Sequence, residues 1–232
     1  MPERCSQKLH RLPPLESGDH LSAREFLRRY EAMPEVKKAE LINGIVYLGS
    51  PGRIDQHGEP DELIQGWLCN SSVATPGVKH ATNSTTRLGP DDVPQPDGQR
   101  HIVAESGGQA RVDSKGYLDG APELVVVVAA SSVSLHVRKK MASYRRSSVR
   151  EYVVCRTEAE AVDWLVLEED EFCPLAKDAA GVFRSKVFPG LWLDVPALLA
   201  GDELKVMAKL QEGLQSAERD AFIAEIQKRR QV

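Results

Sequence analysis

The chain has 232 residues, of which 41% are hydrophobic and 28% charged, with a formal net charge of −4. Such values suit a soluble globular protein of about one domain and exclude a globally basic nucleic-acid coat, though not a local basic patch. No apolar run approaches the roughly 18 residues of a membrane span, and the first 20 residues lack the apolar stretch of a secretory signal. Cys5, Cys69, Cys155 and Cys173 are widely spread without a C-x-x-C pair, which argues against a disulfide framework or a Cys-rich zinc site and favours a cytoplasmic setting.

Residues 1–20 carry Pro2, Pro13, Pro14 and Gly18 and read as a flexible N-terminal segment. Ser22 and Glu25 then have the spacing of a capping box, with Leu21 and Phe26 as a hydrophobic staple. Residues 39–48 read as two short strands around Asn43-Gly44, a hairpin signal. A loop over 49–57 ends at His57. A helix follows, with Pro60 in its first turn and Leu63, Ile64, Trp67 and Leu68 as its buried stripe.

Residues 78–88 read as extended, and Pro90, Pro94 and Pro96 form a rigid approach to Asp97. A strand is expected over 98–104, then a polar loop or β-excursion over 105–120. Leu124 and the β-branched run Val125 to Val128 form a continuous apolar stretch, the signature of a central strand buried on both faces. Ser131 or Ser132 begins the next turn. Val137, Met141 and Tyr144 give a helix over 135–147. Further strands are expected at 151–155, 161–167, 182–188 and 191–195, and helical spacing at 203–230.

From residue 59 to 155 the order is helix, three strands, helix, strand. It implies an α/β mixed sheet covered by helices, spanning 21–200, with a helical extension over 201–232.

The chemistry gathers at Pro96-Asp97 and the buried strand 123–130. Carboxylates from adjacent strands can converge on a divalent metal, with a lysine stabilising charge on phosphorus. Here the sequence resembles the bacterial restriction-endonuclease family of the PD-(D/E)XK nuclease superfamily that is catalogued as a domain of unknown function. The segments carrying the resemblance are Glu40-Leu41-Ile42-Asn43-Gly44, Ser50-Pro51, His57, Gln95-Pro96-Asp97, Gly120 to Val126, Ala129 to Ser132, Lys140, Tyr144, Ser148 to Val153 and Phe188 to Asp194. They cover roughly residues 22–200. The resemblance implies the αβββαβ restriction-endonuclease core and Mg²⁺-dependent (or Mn²⁺-dependent) hydrolysis of DNA. It implies Asp97, Glu40 and Lys140 as catalytic residues, Asp97 and Glu40 being the metal ligands.

One position departs from that pattern. The family's strand glutamate should stand at position 127, and this chain has Val127. Valine offers a hard cation no oxygen. Glu123 has the right strand parity but lies roughly 13 Å away along the strand. Glu105 and Asp113 lie in the loop, and His136 stands where relatives carry a second acid. A degraded active site is therefore expected.

Arg138, Lys139, Lys140, Arg145, Arg146 and Arg150 form a run uninterrupted by Asp or Glu. Of these, Arg138, Lys139, Arg145 and Arg146 are candidate nucleic-acid contacts; a solvated helix face is the plain alternative. The rival to an endonuclease is thus an inactive nuclease-fold module that binds nucleic acid. A further rival is a protein-interaction module, forming a homodimer through the C-terminal helices. No P-loop or G-x-S-x-G motif occurs, so no nucleotide cofactor is expected.

Overall fold

A computed structural model describes residues 12–49, 57–129 and 135–230, with the side chains of 135 and 136 excepted. The expectations for Cys5, Ser50-Pro51, Ser131-Ser132 and the His136 side chain lie outside the described residues.

The first helix, α1 (Ala23–Tyr30), starts where the sequence announces it, with Ser22 Oγ accepting the Glu25 N–H at 3.4 Å. Only half of the capping box forms. The Glu25 carboxylate turns instead to Arg28 and then Arg29, which hold its pKa down at about 2. Strands β1 (Ala39–Ile42) and β2 (Ile45–Leu48) form the expected hairpin, with Asn43 and Gly44 both at positive φ as a tight primed turn requires. Residues 18–21 run beside β2, with Gly18 N–H donating to Val46 O and Leu21 N–H to Gly44 O, while Leu15 is buried with Phe26 and Leu41.

The main sheet has six strands in the order β11-β10-β9-β8-β5-β3. These are β3 (Val78–Thr82), β5 (Gly98–Ile102), β8 (Leu124–Ala129), β9 (Glu151–Arg156), β10 (Ala161–Glu168) and β11 (Glu171–Pro174). Helix α2 (Glu59–Val73) precedes them, and α3 (Leu135–Arg146) connects the parallel pair β8 and β9. The expected αβββαβ order is therefore present. Short strands β4 (Thr86–Arg87), β6 (Arg111–Val112) and β7 (Leu118–Asp119) form a separate three-stranded sheet, which resolves the 105–120 stretch as a β-excursion.

The β8 alternation sorts its side chains to two faces. Leu124, Val126 and Val128 join Trp67 and Leu68 of α2; Val125 and Val127 join Val137 and Tyr144 of α3. Gly98 lets α2 lie close on β5: a Cβ there would meet Leu68 Cδ1 at 2.9 Å and Gln65 Oε1 at 3.0 Å.

Beyond the sheet, β12 (Val182–Arg184) and β13 (Trp192–Asp194) pair, and both are shorter than the sequence suggests. Helix α4 (Val195–Leu199) follows. The tail is two helices, α5 (Glu203–Leu214) and α6 (Ala217–Arg229), the second capped by Ser216. Val206, Leu210, Leu214 and Ile226 are buried in the main core, whereas Leu204 is exposed. No described helix is long and apolar enough to cross a membrane.

Candidate functional site

Asp97 stands at the entrance to β5, held by backbone on both sides. Its carbonyl accepts the Asn83 N–H at 3.1 Å, and its Oδ2 accepts the Val128 N–H at 2.9 Å. Strands β5 and β8 are antiparallel with Gly98 opposite Val126, so one step further Asp97 faces position 127.

Glu40 arrives from β1. Leu41 and Val93 exchange backbone hydrogen bonds of 3.0 and 2.7 Å, which lays β1 against the proline-rich segment. The Gln95 N–H then donates to Glu40 Oε1 at 2.7 Å. The other oxygen, Oε2, takes the Lys140 ammonium at 2.8 Å, an ion pair whose side chains are only 6% and 7% exposed.

Lys140 comes from α3, and its burial corrects one expectation. The sequence stripe Val137–Met141–Tyr144 puts Met141 inside, yet Met141 is exposed and Lys140 is buried between Val137 and Tyr144. Residues 137, 140 and 144 share one helical face as well as 137, 141 and 144 do. The carboxylate of Glu40 decides which of the two turns in, because a buried ammonium needs a partner.

Three residues read from separate parts of the sequence are thus brought to one end of β8. Around them stand others that sequence reasoning missed or discounted. Lys38 donates to Asp97 Oδ1 at 2.9 Å and to Asn83 Oδ1 at 3.0 Å. Burial works against its charge, but Asp97, by charge and hydrogen bond, outweighs it, and the Lys38 pKa is raised overall. His57 Nε2 lies 3.9 Å from Asp97 Oδ1. Asp61, on α2, has its pKa raised, first by burial and then by Asp97, with the Gln65 hydrogen bond and the charges of His57 and Lys38 opposing. The signal for Lys38 was its place two residues before Glu40, on the same strand parity. The signal for Asp61 was its helical spacing from His57.

Val127 is buried in the apolar cluster with Tyr144 and Tyr152. The hydroxyls of both tyrosines are buried without a hydrogen-bond partner among the described residues. Burial, and then the charges of Glu40 and Asp97, push both phenols upward in pKa, so both lie in the field of the site.

Among the described residues, none of the three alternative carboxylates named from the sequence fills the place opposite Asp97. Glu123 accepts the N–H groups of Ile102 and Gln109 at 2.8 and 3.1 Å. Asp113 pairs with Arg87 at 3.0 Å. Glu105 is exposed in a 3-10 turn beyond the far end of β5. Among the described residues, no group of three His, Cys, Asp or Glu is placed to hold a metal ion.

The basic run divides. Arg146 bonds Asn43 and Asp92, Arg145 pairs with Glu171, and Lys139 donates to Tyr47 Oη at 3.0 Å. Arg138 and Arg150 are exposed.

An αβββαβ core with an aspartate, a glutamate and a lysine gathered at one end of its central strand defines a protein of the restriction-endonuclease-like class. The Uma2 family model, described as "Putative restriction endonuclease", matches residues 23–196, well over half of the chain, and the chain belongs to this family. Its fold is similar to the crystal structure of "a putative nuclease belonging to DUF820" from Anabaena variabilis ATCC 29413, with a TM-score of 0.56. That likeness has 15% sequence identity and covers 75% of this chain and 97% of the other. No curated protein matches the sequence.

Proposed function

We propose that this protein is a nuclease-fold protein that binds DNA and whose hydrolytic site is degraded. One observation carries the reading. Asp97, Glu40 and Lys140 converge as a nuclease site requires, while the residue facing Asp97 is Val127 and every oxygen of both carboxylates already accepts from an internal donor.

In a working site of this class, a hard divalent ion such as Mg²⁺ or Mn²⁺ would polarise the phosphate and activate water. Asp97 and Glu40 are the residues present to hold it, and they do not fit. Mg²⁺ wants about six oxygens at about 2.0–2.1 Å. Here Lys38 and Lys140 balance the two carboxylates in charge, and the strand position that would supply a further oxygen is apolar.

The chain's own residues still favour a polyanion. Arg138 is exposed on α3, the helix that carries Lys140 into the site, and Lys139 stands half-buried beside Tyr47. Phosphate contacts of this kind add affinity without sequence preference and weaken with salt.

The test is direct. Purified protein is incubated with supercoiled plasmid and Mg²⁺ or Mn²⁺ beside Asp97→Ala, and a gel shift is run over a salt series. The expected result is retardation that weakens with salt, and no nicking above the Asp97→Ala background. Nicking that Asp97→Ala abolishes would establish an active nuclease instead. Absence of both nicking and retardation would overturn the DNA-binding reading.

A further inference from the structure

We propose that Lys38 is a tethered cation: its ammonium stands at Asp97 where a divalent ion would have to bind, and so holds the site closed to metal. The inference rests on the reading of the site as a degraded nuclease centre.

Lys38 is placed by the fold. It lies immediately before β1, and its carbonyl accepts the Gly49 N–H at 2.9 Å, which fixes the base of the side chain across the hairpin. A Cβ on Gly49 would meet Lys38 Cβ at 3.0 Å, so the stem runs in the space that glycine leaves. The stem delivers the ammonium to two oxygens from different elements, Asp97 Oδ1 at 2.9 Å and Asn83 Oδ1 at 3.0 Å. That arrangement is a small oxygen cage around a cation, and the cation belongs to the protein.

The ordinary reading is a surface lysine meeting a surface acid. The burial contrast argues against it. The Asp97 side chain is 6% exposed and Lys38 33%, so the lysine is the group that covers the acid from the solvent side. The other carboxylate is closed in the same way, Glu40 by Lys140. Each of these two carboxylates is thus met by an ammonium in direct contact, while Asp61 and His57 share the surroundings. A doubly charged ion entering such a site gains little from the field and is repelled by the ammonium it must displace. An acid at position 127 would add a negative charge with no ammonium set against it, and valine adds none.

The experiment uses the full chain and the metal alone. Mn²⁺ is titrated in, with free Mn²⁺ followed by electron paramagnetic resonance and Mg²⁺ binding by calorimetry. The native protein should show no saturable binding that differs from Asp97→Asn. Lys38→Met should bind Mn²⁺ at least about tenfold more tightly, and adding Asp97→Asn should abolish the gain. Lys38→Gln serves as a second neutral variant should Met impair folding, and Lys38→Arg, which keeps the charge, should remain closed. Combining Lys38→Met with Val127→Glu should give the tightest site.

Native protein that binds Mn²⁺ through Asp97 as tightly as Lys38→Met would overturn the proposal. So would folded Lys38→Met and Lys38→Gln that bind no better than native. DNA retardation measured in EDTA reports on the parent reading separately, because it does not depend on metal occupancy.

Discussion

The β5–β8 register ends at Gly98 opposite Val126, and one step beyond it Asp97 falls opposite Val127. Residues opposite one another in an antiparallel pair place their Cβ atoms about 4.5–5.5 Å apart on one face. A carboxylate at 127 would therefore flank Asp97 closely enough for both to reach one cation. The unpartnered hydroxyls of Tyr144 and Tyr152 lie in the same cluster and offer donors to such a group.

Val127→Glu is accordingly expected to confer Asp97-dependent nicking of supercoiled plasmid in Mg²⁺ or Mn²⁺, and Lys38→Met should increase it further. The new acid sits in an apolar cluster, so stability should fall by about 1–3 kcal/mol, read from urea denaturation. A folded protein carrying both Val127→Glu and Lys38→Met that neither nicks plasmid nor binds Mn²⁺ would show that the remaining geometry is not that of a nuclease site.

The Glu40–Lys140 pair allows a cleaner energetic test because both groups are buried and 2.8 Å apart. Removing one partner of such a pair leaves an uncompensated charge and typically costs about 3–5 kcal/mol, whereas removing both is far milder. Glu40→Gln and Lys140→Met should each be strongly destabilising, with the double variant less so than the sum. Urea denaturation of all four proteins gives the coupling, expected above about 1 kcal/mol. Additivity would mean that the pair contributes nothing specific.

Much of this architecture was legible in the sequence for identifiable reasons. The apolar run at 124–128, short and with four β-branched valines, suits a strand covered on both faces, and Asn43-Gly44 admits a narrow set of turns. The order of motifs located Asp97, Glu40 and Lys140, and the fold brings them together. Other features were not legible because non-local partners decide them. Met141 and Lys140 compete for one helix face, and only Glu40 on a distant strand settles the contest. The pairing of Lys38 with Asp97 spans 59 positions. The basic run reads as one electrostatic unit, yet Asp92, Asn43 and Glu171, from three separate segments, engage part of it.

His80 makes stability depend on pH. Its Nε2 lies 2.8 Å from Gln65 Oε1, and burial, then the charge of Arg100, lower its pKa to about 4. The unfolded chain binds a proton near the ordinary value of about 6.5, so between these limits it holds more protons than the folded state. Stability contributed by neutral His80 is therefore fully present above about pH 6.5 and is lost as pH falls toward about 4. Because the ring is partly exposed, solvent screening reduces the loss to about 1–2 kcal/mol. Buried Glu123 and Glu151, with raised pKa values, slope the opposite way, so the test is a difference. Urea denaturation from pH 4 to 7 should give a shallower acid-side loss for His80→Gln than for the native protein; identical curves would exclude the effect.

Arg138 and Arg146 separate structural charge from available charge. Arg146 reaches Asp92 Oδ2 at 2.9 Å and bonds Asn43, tying the end of α3 to the β1–β2 turn, while Asp92 Oδ1 accepts the Asn43 N–H at 2.9 Å. Arg146→Ala should therefore reduce stability by about 1–2 kcal/mol, since Asp92 is mostly buried and keeps only part of its satisfaction. Its effect on DNA retardation should be small, because the charge it removes is already compensated. Arg138 is exposed, so Arg138→Ala should leave the denaturation midpoint near native. It should weaken DNA binding and lower the slope of log K against log salt by about one contact. The reverse pattern, with Arg146→Ala flattening the salt slope in a protein of native stability, would place the DNA on the hairpin side of α3.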